Sequence, residues 1–516
     1  MVATTLKDGA PQAVELDYVI QKHDVITEEM VNEGDAALKI LQDHIVEYDS
    51  EEEARVRRKI DFHLVPVMLI VNGIQFVDKL TIGYAATYGI ITQAHLEGQQ
   101  YSLLLTLFYI AYLVAQYPTS YFMQRFNTGH YLCINFILWG VVLACTGAAT
   151  SFPGLAAGRF FLGIFEACLN PGFVLISSSW WKRQEQASRV SFWYSANGTA
   201  SLICGILFYG IAHIDKAGMF PYQWMFIIFG CITIVLGVSL WWLLPSSPLD
   251  CKWLNERERL IAIERLKDNR TGVKNTEHKK EQVIEAFTDM RVWMLVGAVF
   301  FHNMTNSLQT NFTGLILKGF GYTSYQSVLL QMPGGAIGAA AILLSGTFLS
   351  SRWGKNCTTI IMILLYIPGV IACCLLYAVP IRDSTRSAHL AAIFLIPIVA
   401  AAAGVMYSLL ASNVAGYTKK SVSGVMFFSA YSVSNIVSPQ TFLSKEAPKY
   451  TTGVFVTLGA FIINMILLSV LHIIYRRENA KRDRENEGVE LDEVEDLANA
   501  FSDMTDRQNS LLRYKY

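Results

Sequence analysis

The chain has 516 residues, 53% of them apolar and only 16% charged, with a mean hydropathy of +0.34. Soluble domains are about 25% charged, so this composition excludes a string of soluble domains. A formal net charge of −1 says nothing for a nucleic-acid partner, and no basic cluster of the density such a partner needs appears, so none is expected. What remains is an all-α polytopic membrane protein surrounded by the lipid bilayer.

Residues 1–61 read as a polar cytosolic tail, acidic at Glu51-Glu52-Glu53 and lacking the apolar core of a signal peptide. Arg55, Arg57, Arg58 and Lys59 stand just before the first span and favour a cytosolic amino terminus. Twelve apolar runs of spanning length follow, near 62–82, 101–123, 130–150, 154–177, 190–213, 222–244, 291–314, 324–349, 357–379, 388–411, 421–443 and 452–475. They divide into an amino-terminal half (62–244) and a carboxy-terminal half (291–475). The linker between them (245–290) opens on Pro245-Ser246-Ser247-Pro248, which stops the sixth helix. Within it Trp253 to Arg270 reads as an amphipathic helix on the cytosolic face. Residues 476–516 form a second cytosolic tail, opened by Arg476-Arg477.

Two six-helix halves are the mark of a duplicated transporter. Phe122-Met123-Gln124-Arg125-Phe126 after the second span finds a counterpart in Leu349-Ser350-Ser351-Arg352-Trp353 after the eighth. The nine cysteines read as small apolar residues without a disulfide framework, and no sequon is expected to be glycosylated.

Charges inside the spans narrow the reading further. A charge at the bilayer centre costs at least about 2.5–3.5 kcal/mol, so it faces a protein interior or a wet cavity. In the fourth span Arg159, Gly163, Glu166 and Asn170 share one helical stripe. They read either as glue between helices or as the polar wall of a transport path. Trp180-Trp181, followed by Lys182-Arg183, reads as an aromatic anchor at the membrane surface. The first span gathers Asn72, Gln75, Asp78 and Lys79 on about a third of its circumference. Asp78-Lys79 is either a self-neutralising pair with Lys79 snorkelling near a helix end, or the place where Asp78 takes up a proton. In the seventh span His302, Asn306, Gln309 and Thr313 form a stripe suited to a cavity lined by donors and acceptors. His302 is there a proton carrier or simply satisfied by a neighbour. Asn197, Asn413 and Asn435 add single amides in the fifth, tenth and eleventh spans, and Gly198 and Gly205 allow close packing in the fifth.

No phosphate-binding G-x-x-x-x-G-K-[ST] loop, metal-ligand spacing or nucleophile elbow is present. No enzyme activity, metal or cofactor is therefore expected, and the energy for transport must come from a gradient.

Val77-Asp78-Lys79 with Ile82-Gly83-Tyr84-Ala85-Ala86, and Arg159-Phe160-Phe161-Leu162-Gly163-Ile164-Phe165-Glu166-Ala167, resemble the fungal allantoate-permease-like anion:cation symporters of the major facilitator superfamily. So do Trp181-Lys182-Arg183-Gln184-Glu185-Gln186, Ser191 to Gly198, Ser412 to Lys420, Asn435-Ile436 and Ala447-Pro448-Lys449-Tyr450. The superfamily loop G-x-L-x-D-R-x-G-R-K is altered: Ser120, Gln124 and Asn127 replace Gly, Asp and Gly, and Ser351 replaces the acid of the second copy. The resemblance implies the twelve-helix major facilitator fold and proton-coupled uptake of a small organic anion, such as allantoate, another ureido acid or a vitamin-like carboxylate. It implies membrane charges at Asp78, Arg159 and Glu166 and gating loops at Arg125 and Arg352. The candidate substrate-binding residues are thus Arg159, Asn306, Gln309, Asn197 and Asn435, and the proton-coupling candidates Asp78, Glu166 and His302. A monomer in the plasma membrane with both termini in the cytosol is expected. Export of a secondary metabolite and a transporter-shaped nutrient sensor are the alternatives.

Overall fold

A computed structural model describes residues 48–214, 218–248, 251–266, 279–351, 354, 357–485, 504–509 and 512–516. All regular structure among them is helical. The first helix, α1 (Ser50–Thr87), has 38 residues and is therefore about 57 Å long at 1.5 Å per residue. That is nearly twice the ~30 Å hydrocarbon thickness, so its first turns stand clear of the membrane. Asp49 caps it by accepting from the Ser50 amide, and Glu51, Glu52 and Glu53 suit the positive end of its dipole. The tail-to-span boundary expected at residue 61 falls inside this continuous helix.

The amino-terminal half continues with α2 (Gln100–Arg125), α3 (Thr128–Thr146), α4 (Phe152–Glu166) running into α5 (Leu169–Trp180), α6 (Arg183–Tyr194) followed by α7 (Ala196–Ile211), and α8 (Pro221–Leu243). Two short linker helices follow, α9 (Glu256–Glu264) and α10 (Lys280–Thr288). The second half comprises α11 (Met290–Asn303) with a π-helical turn (Leu308–Phe312) and α12 (Thr313–Gly319), α13 (Ser324–Leu329) with α14 (Met332–Ser350), and α15 (Thr358–Ala378). It ends with α16 (Arg386–Leu395) leading through a 3-10 turn to α17 (Ala401–Asn413), α18 (Tyr417–Val437) and α19 (Thr451–Glu485). Nine of these helical stretches are each long and apolar enough to cross a membrane. The others are the fifth, interrupted at Ser195, the seventh, interrupted at its π-helical turn, and α18, which carries Lys419, Lys420 and five serines.

The halves meet along α2 against α18 and α7 against α14. A Cβ on Gly198 would stand 2.7 Å from Ala339, so the α7–α14 contact requires glycine there. Toward the other end of the seam, Tyr101 donates to the Asn311 carbonyl (3.2 Å), Lys318 to the Thr87 carbonyl (3.0 Å) and Ser444 to the Gly98 carbonyl (2.6 Å). The seam is therefore shut at the end carrying Thr87 and Gly98.

Trp180 and Trp181 are not a lipid-facing anchor. Both are fully buried: Trp181 donates to Asp61 (2.7 Å), and Trp180 stacks on Trp253, which stacks on His63. The overhang of α1 and the linker give these indoles a protein surface to pack against, which outweighs the lipid interface. Of the helix expected over 253–270, the described part is α9. It is fastened to α1 through Lys59–Glu258 (2.6 Å), while Arg265 just beyond it reaches Glu185 (2.7 Å) and Glu53 (3.4 Å).

The carboxy-terminal half has its own ion cluster. Buried Lys419 donates to Glu285 (2.8 Å), Asp289 (2.7 Å) and Asp506 (2.6 Å). Burial alone would raise the Asp289 carboxyl, but hydrogen bonds from Arg291 and Lys419 outweigh it and bring it down to about 2. A depressed value stabilises the fold above the unfolded value of 3.8, and this contribution is lost as pH falls through about 2. Asp289→Asn is accordingly expected to lower the thermal unfolding midpoint at pH 7 and to lower it by much less at pH 2. Equal losses at both pH values would contradict this.

Candidate functional site

Consecutive residues on a helix point about 100° apart, and that rotation separates Asp78 from Lys79. The helix runs on to Thr87, so neither lies at its end. Asp78 faces the third span, where Oδ2 accepts from Trp139 Nε1 at 3.0 Å while Oδ1 is buried without a partner. Lys79 faces the fourth span, and its ammonium lies 3.0 Å from Glu166 Oε1. Gln75, one turn earlier, donates to the same oxygen at 2.9 Å, and Glu166 Oε2 is buried without a partner. The pair is hydrogen-bonded on one side only. The Glu166 side chain has no exposure, whereas that of Lys79 keeps 18%.

Aromatic hydroxyls from both halves close around this pair. Tyr109 and Tyr112 of α2 and Tyr431 of α18 are near enough to interact electrostatically with Lys79. Tyr109 meets Tyr431 edge to face at 6.2 Å across the seam, and Tyr194 meets Tyr407 at 6.2 Å. Asn170 donates to Tyr112 at 3.4 Å. A phenol can donate to a carboxylate and accept from an ammonium, so this ring suits either ion.

The other predicted residues fall around or away from this centre. Arg159 is buried with Nε and Nη2 lacking hydrogen-bond partners, and its guanidinium lies 5.6 Å from the Phe226 ring centre. It interacts electrostatically with Asp78, so the two acids and two cations sort into Asp78 with Arg159 and Glu166 with Lys79. Asn197 accepts from Asn72 at 2.9 Å. Asn306 donates to Asn435 at 2.7 Å, and Asn435 donates to the Tyr431 carbonyl, one turn from the aromatic ring. Gln309 lines a cavity of about 40 Å³ between the halves, together with Tyr84, Ser201, Thr313 and Gln331. That volume suits a water or two and must widen to admit an organic solute. His302 is held by Tyr366 (2.8 Å), which Asn464 also contacts (3.1 Å), and is not brought to the Lys79–Glu166 pair. Arg125 is exposed in the last turn of α2; Arg352 lies outside the described residues.

Sequence reasoning takes Lys79 only as a neighbour for Asp78 or a snorkelling end, where the structure pairs it with Glu166, and it passes over the tyrosines. The usable signal was the i, i+3 spacing of Tyr109 and Tyr112, which puts two hydroxyls on one face of an apolar helix.

This is a membrane-embedded polar centre between two helical halves. Residues 68–439 match the family model of the Major Facilitator Superfamily. The chain belongs to that superfamily. It is similar to an uncharacterized transporter of Schizosaccharomyces pombe, 37% identical over 487 residues that cover 93% of this chain and 91% of that protein. It is also similar to the allantoate permease of Saccharomyces cerevisiae, 32% identical over 496 residues, covering 93% and 90% respectively. In fold it resembles the D-xylose-proton symporter, with a TM-score of 0.62 over 79% of this chain and 97% of that one, at 14% identity. This major facilitator protein is thus a multi-pass secondary transporter, and its relatives are transporters rather than enzymes.

Proposed function

We propose that the protein imports a small organic anion together with protons across a fungal plasma membrane, acting as a monomer with both termini in the cytosol. The observation that carries this reading is the Lys79–Glu166 pair at the seam, ringed by tyrosines of both halves. An ammonium paired to a carboxylate in low dielectric is a site for exchange: protonation of Glu166 frees Lys79, and a substrate carboxylate takes the vacated place. Proton and anion then enter together. Asp78 with Arg159 forms a second acid–cation set that can hold another proton or a second acidic group. Similarity to an allantoate permease supports ureido acids as the first substrates to try.

The test is uptake by proteoliposomes holding the purified protein, with labelled allantoate and a panel of small carboxylates, under an imposed inward proton gradient. Gradient-dependent accumulation of at least one carboxylate is expected. Accumulation that requires an outward gradient would instead make the protein an exporter. The topology carries its own expectation. A tag at Asn275, outside the described residues, should be labelled only after cells are permeabilised, and labelling of intact cells would invert the assignment of both faces.

A further inference from the structure

Residues 504–509 and 512–516 pack onto the carboxy-terminal half and touch the ends of five of its six spans. Asp506 joins Lys419 at the start of α18, and the Tyr514 hydroxyl receives Arg291 at the start of α11. The Lys515 amide and carbonyl both bond to the Asn413 side chain at the end of α17 (2.8 and 2.7 Å). The Tyr514 amide and carbonyl both bond to Asn479 of α19 (2.9 and 2.8 Å). The Thr358 amide at the start of α15 donates to the Tyr516 carbonyl at 2.9 Å.

Two asparagine side chains, each gripping both the N–H and the C=O of one residue, hold the main chain by its peptide groups as peptide-binding grooves do. Side-chain pockets add selectivity. The Tyr514 ring stacks on Tyr475 at 4.9 Å, with the guanidinium carbons of Arg291 and Arg482 at 4.8 and 4.6 Å from its centre. Arg482 also donates to the Leu512 and Asp506 carbonyls, both at 2.6 Å. The seat is thus largely polar, so on leaving, the segment exchanges its hydrogen bonds for bonds to water. Leaving removes Asp506, one of three carboxylates around an otherwise buried lysine.

We propose that 504–516 is a detachable internal ligand, and that its docking makes the cytosolic ends of the second half move as one block and sets the turnover rate. The probe is the synthetic peptide Met504–Tyr516, with a control peptide carrying Asp506→Lys and Tyr514→Ala. Protein lacking residues 504–516 is expected to bind the first peptide saturably, more weakly as salt rises, and not the control. Hydrogen exchange at 413–420 and 357–360 should rise on deletion and fall again with the peptide. Turnover in proteoliposomes should drop by about threefold or more with KM unchanged, and recover with the peptide on the cytosolic face. Should the deletion fail to fold, full-length Asn479→Ala serves, because it removes both Tyr514 main-chain bonds and leaves the charges in place. It should raise exchange in 504–516 and at 413–420 together. No peptide binding to folded deletion protein, or unchanged exchange at 413–420 in Asn479→Ala, or unchanged turnover in either variant, would overturn the proposal.

Discussion

Glu166→Gln is expected to abolish proton-driven accumulation while leaving counterflow exchange of substrate in place. A glutamine keeps the shape of a protonated glutamate but cannot give the proton up. Lys79 is then free in every state, and the carrier can bind anion on either face without a proton cycle. One proton carried down one pH unit supplies about 1.4 kcal/mol, or tenfold accumulation, and this is the factor the variant should lose. Lys79→Gln is expected to behave differently. It leaves Glu166 buried opposite a neutral partner, and breaking a buried pair costs about 3–5 kcal/mol, so surface level should fall and exchange should vanish with uptake. The double variant removes both charges and should regain the surface level without regaining transport. Surface abundance, gradient-driven uptake and counterflow measured for all three variants decide the matter. Normal accumulation by Glu166→Gln would remove it from proton coupling, and normal exchange by Lys79→Gln would remove it from anion binding.

Gly83→Val should stop both uptake and exchange, which separates it from the Glu166 variant. Gly83 faces the π-helical turn of the seventh span, where a Cβ would overlap the Thr310 carbonyl oxygen and come within 3.1 Å of the Asn311 Cα. Backbone cannot swing aside as a side-chain tip can, so the seam at this end would be wedged apart. Overpacking of this kind costs about 1–3 kcal/mol, which shifts a two-state equilibrium by roughly 5- to 150-fold. Gly83→Ala should show a smaller loss of the same kind. Full activity in Gly83→Val at normal surface level would show that this contact is not needed for the transport cycle.

Much of the fold was legible because spanning length and apolarity are local properties, read directly from runs such as 222–244 and 357–379. The broken spans were less visible: nothing in Leu308 to Phe312 announces a π-helical turn, and its close approach to Gly83 brings together positions more than 200 residues apart. At the site, the stripe rule correctly put Arg159 and Glu166 on one buried face of α4 but could not name their partners. Those partners lie on other helices, and Lys79 reaches Glu166 over 87 positions of sequence. The asparagine pair Asn306–Asn435 was similarly visible as two single amides and not as one bond. For the tail, the tyrosines and the aspartate of 504–516 look like ordinary surface residues until Asn413, Asn479 and Lys419 are brought beneath them.

The first helix also has the proportions of a lever. From Lys79 it reaches about 12 Å to Thr87 and about 44 Å to Ser50. A tilt about the Lys79 position that parts the short arm by about 1 Å would swing the far tip by three to four times as much. That tip carries Glu52 and Glu53, which hold Arg257 of the linker helix and the neighbouring Arg265. Pro66, which lacks the amide that would bond back one turn, marks where the long arm can flex. A small opening at the Thr87 end of the seam would in this way be geared up into a larger displacement at the Ser50 end, delivered to the segment that joins the two halves.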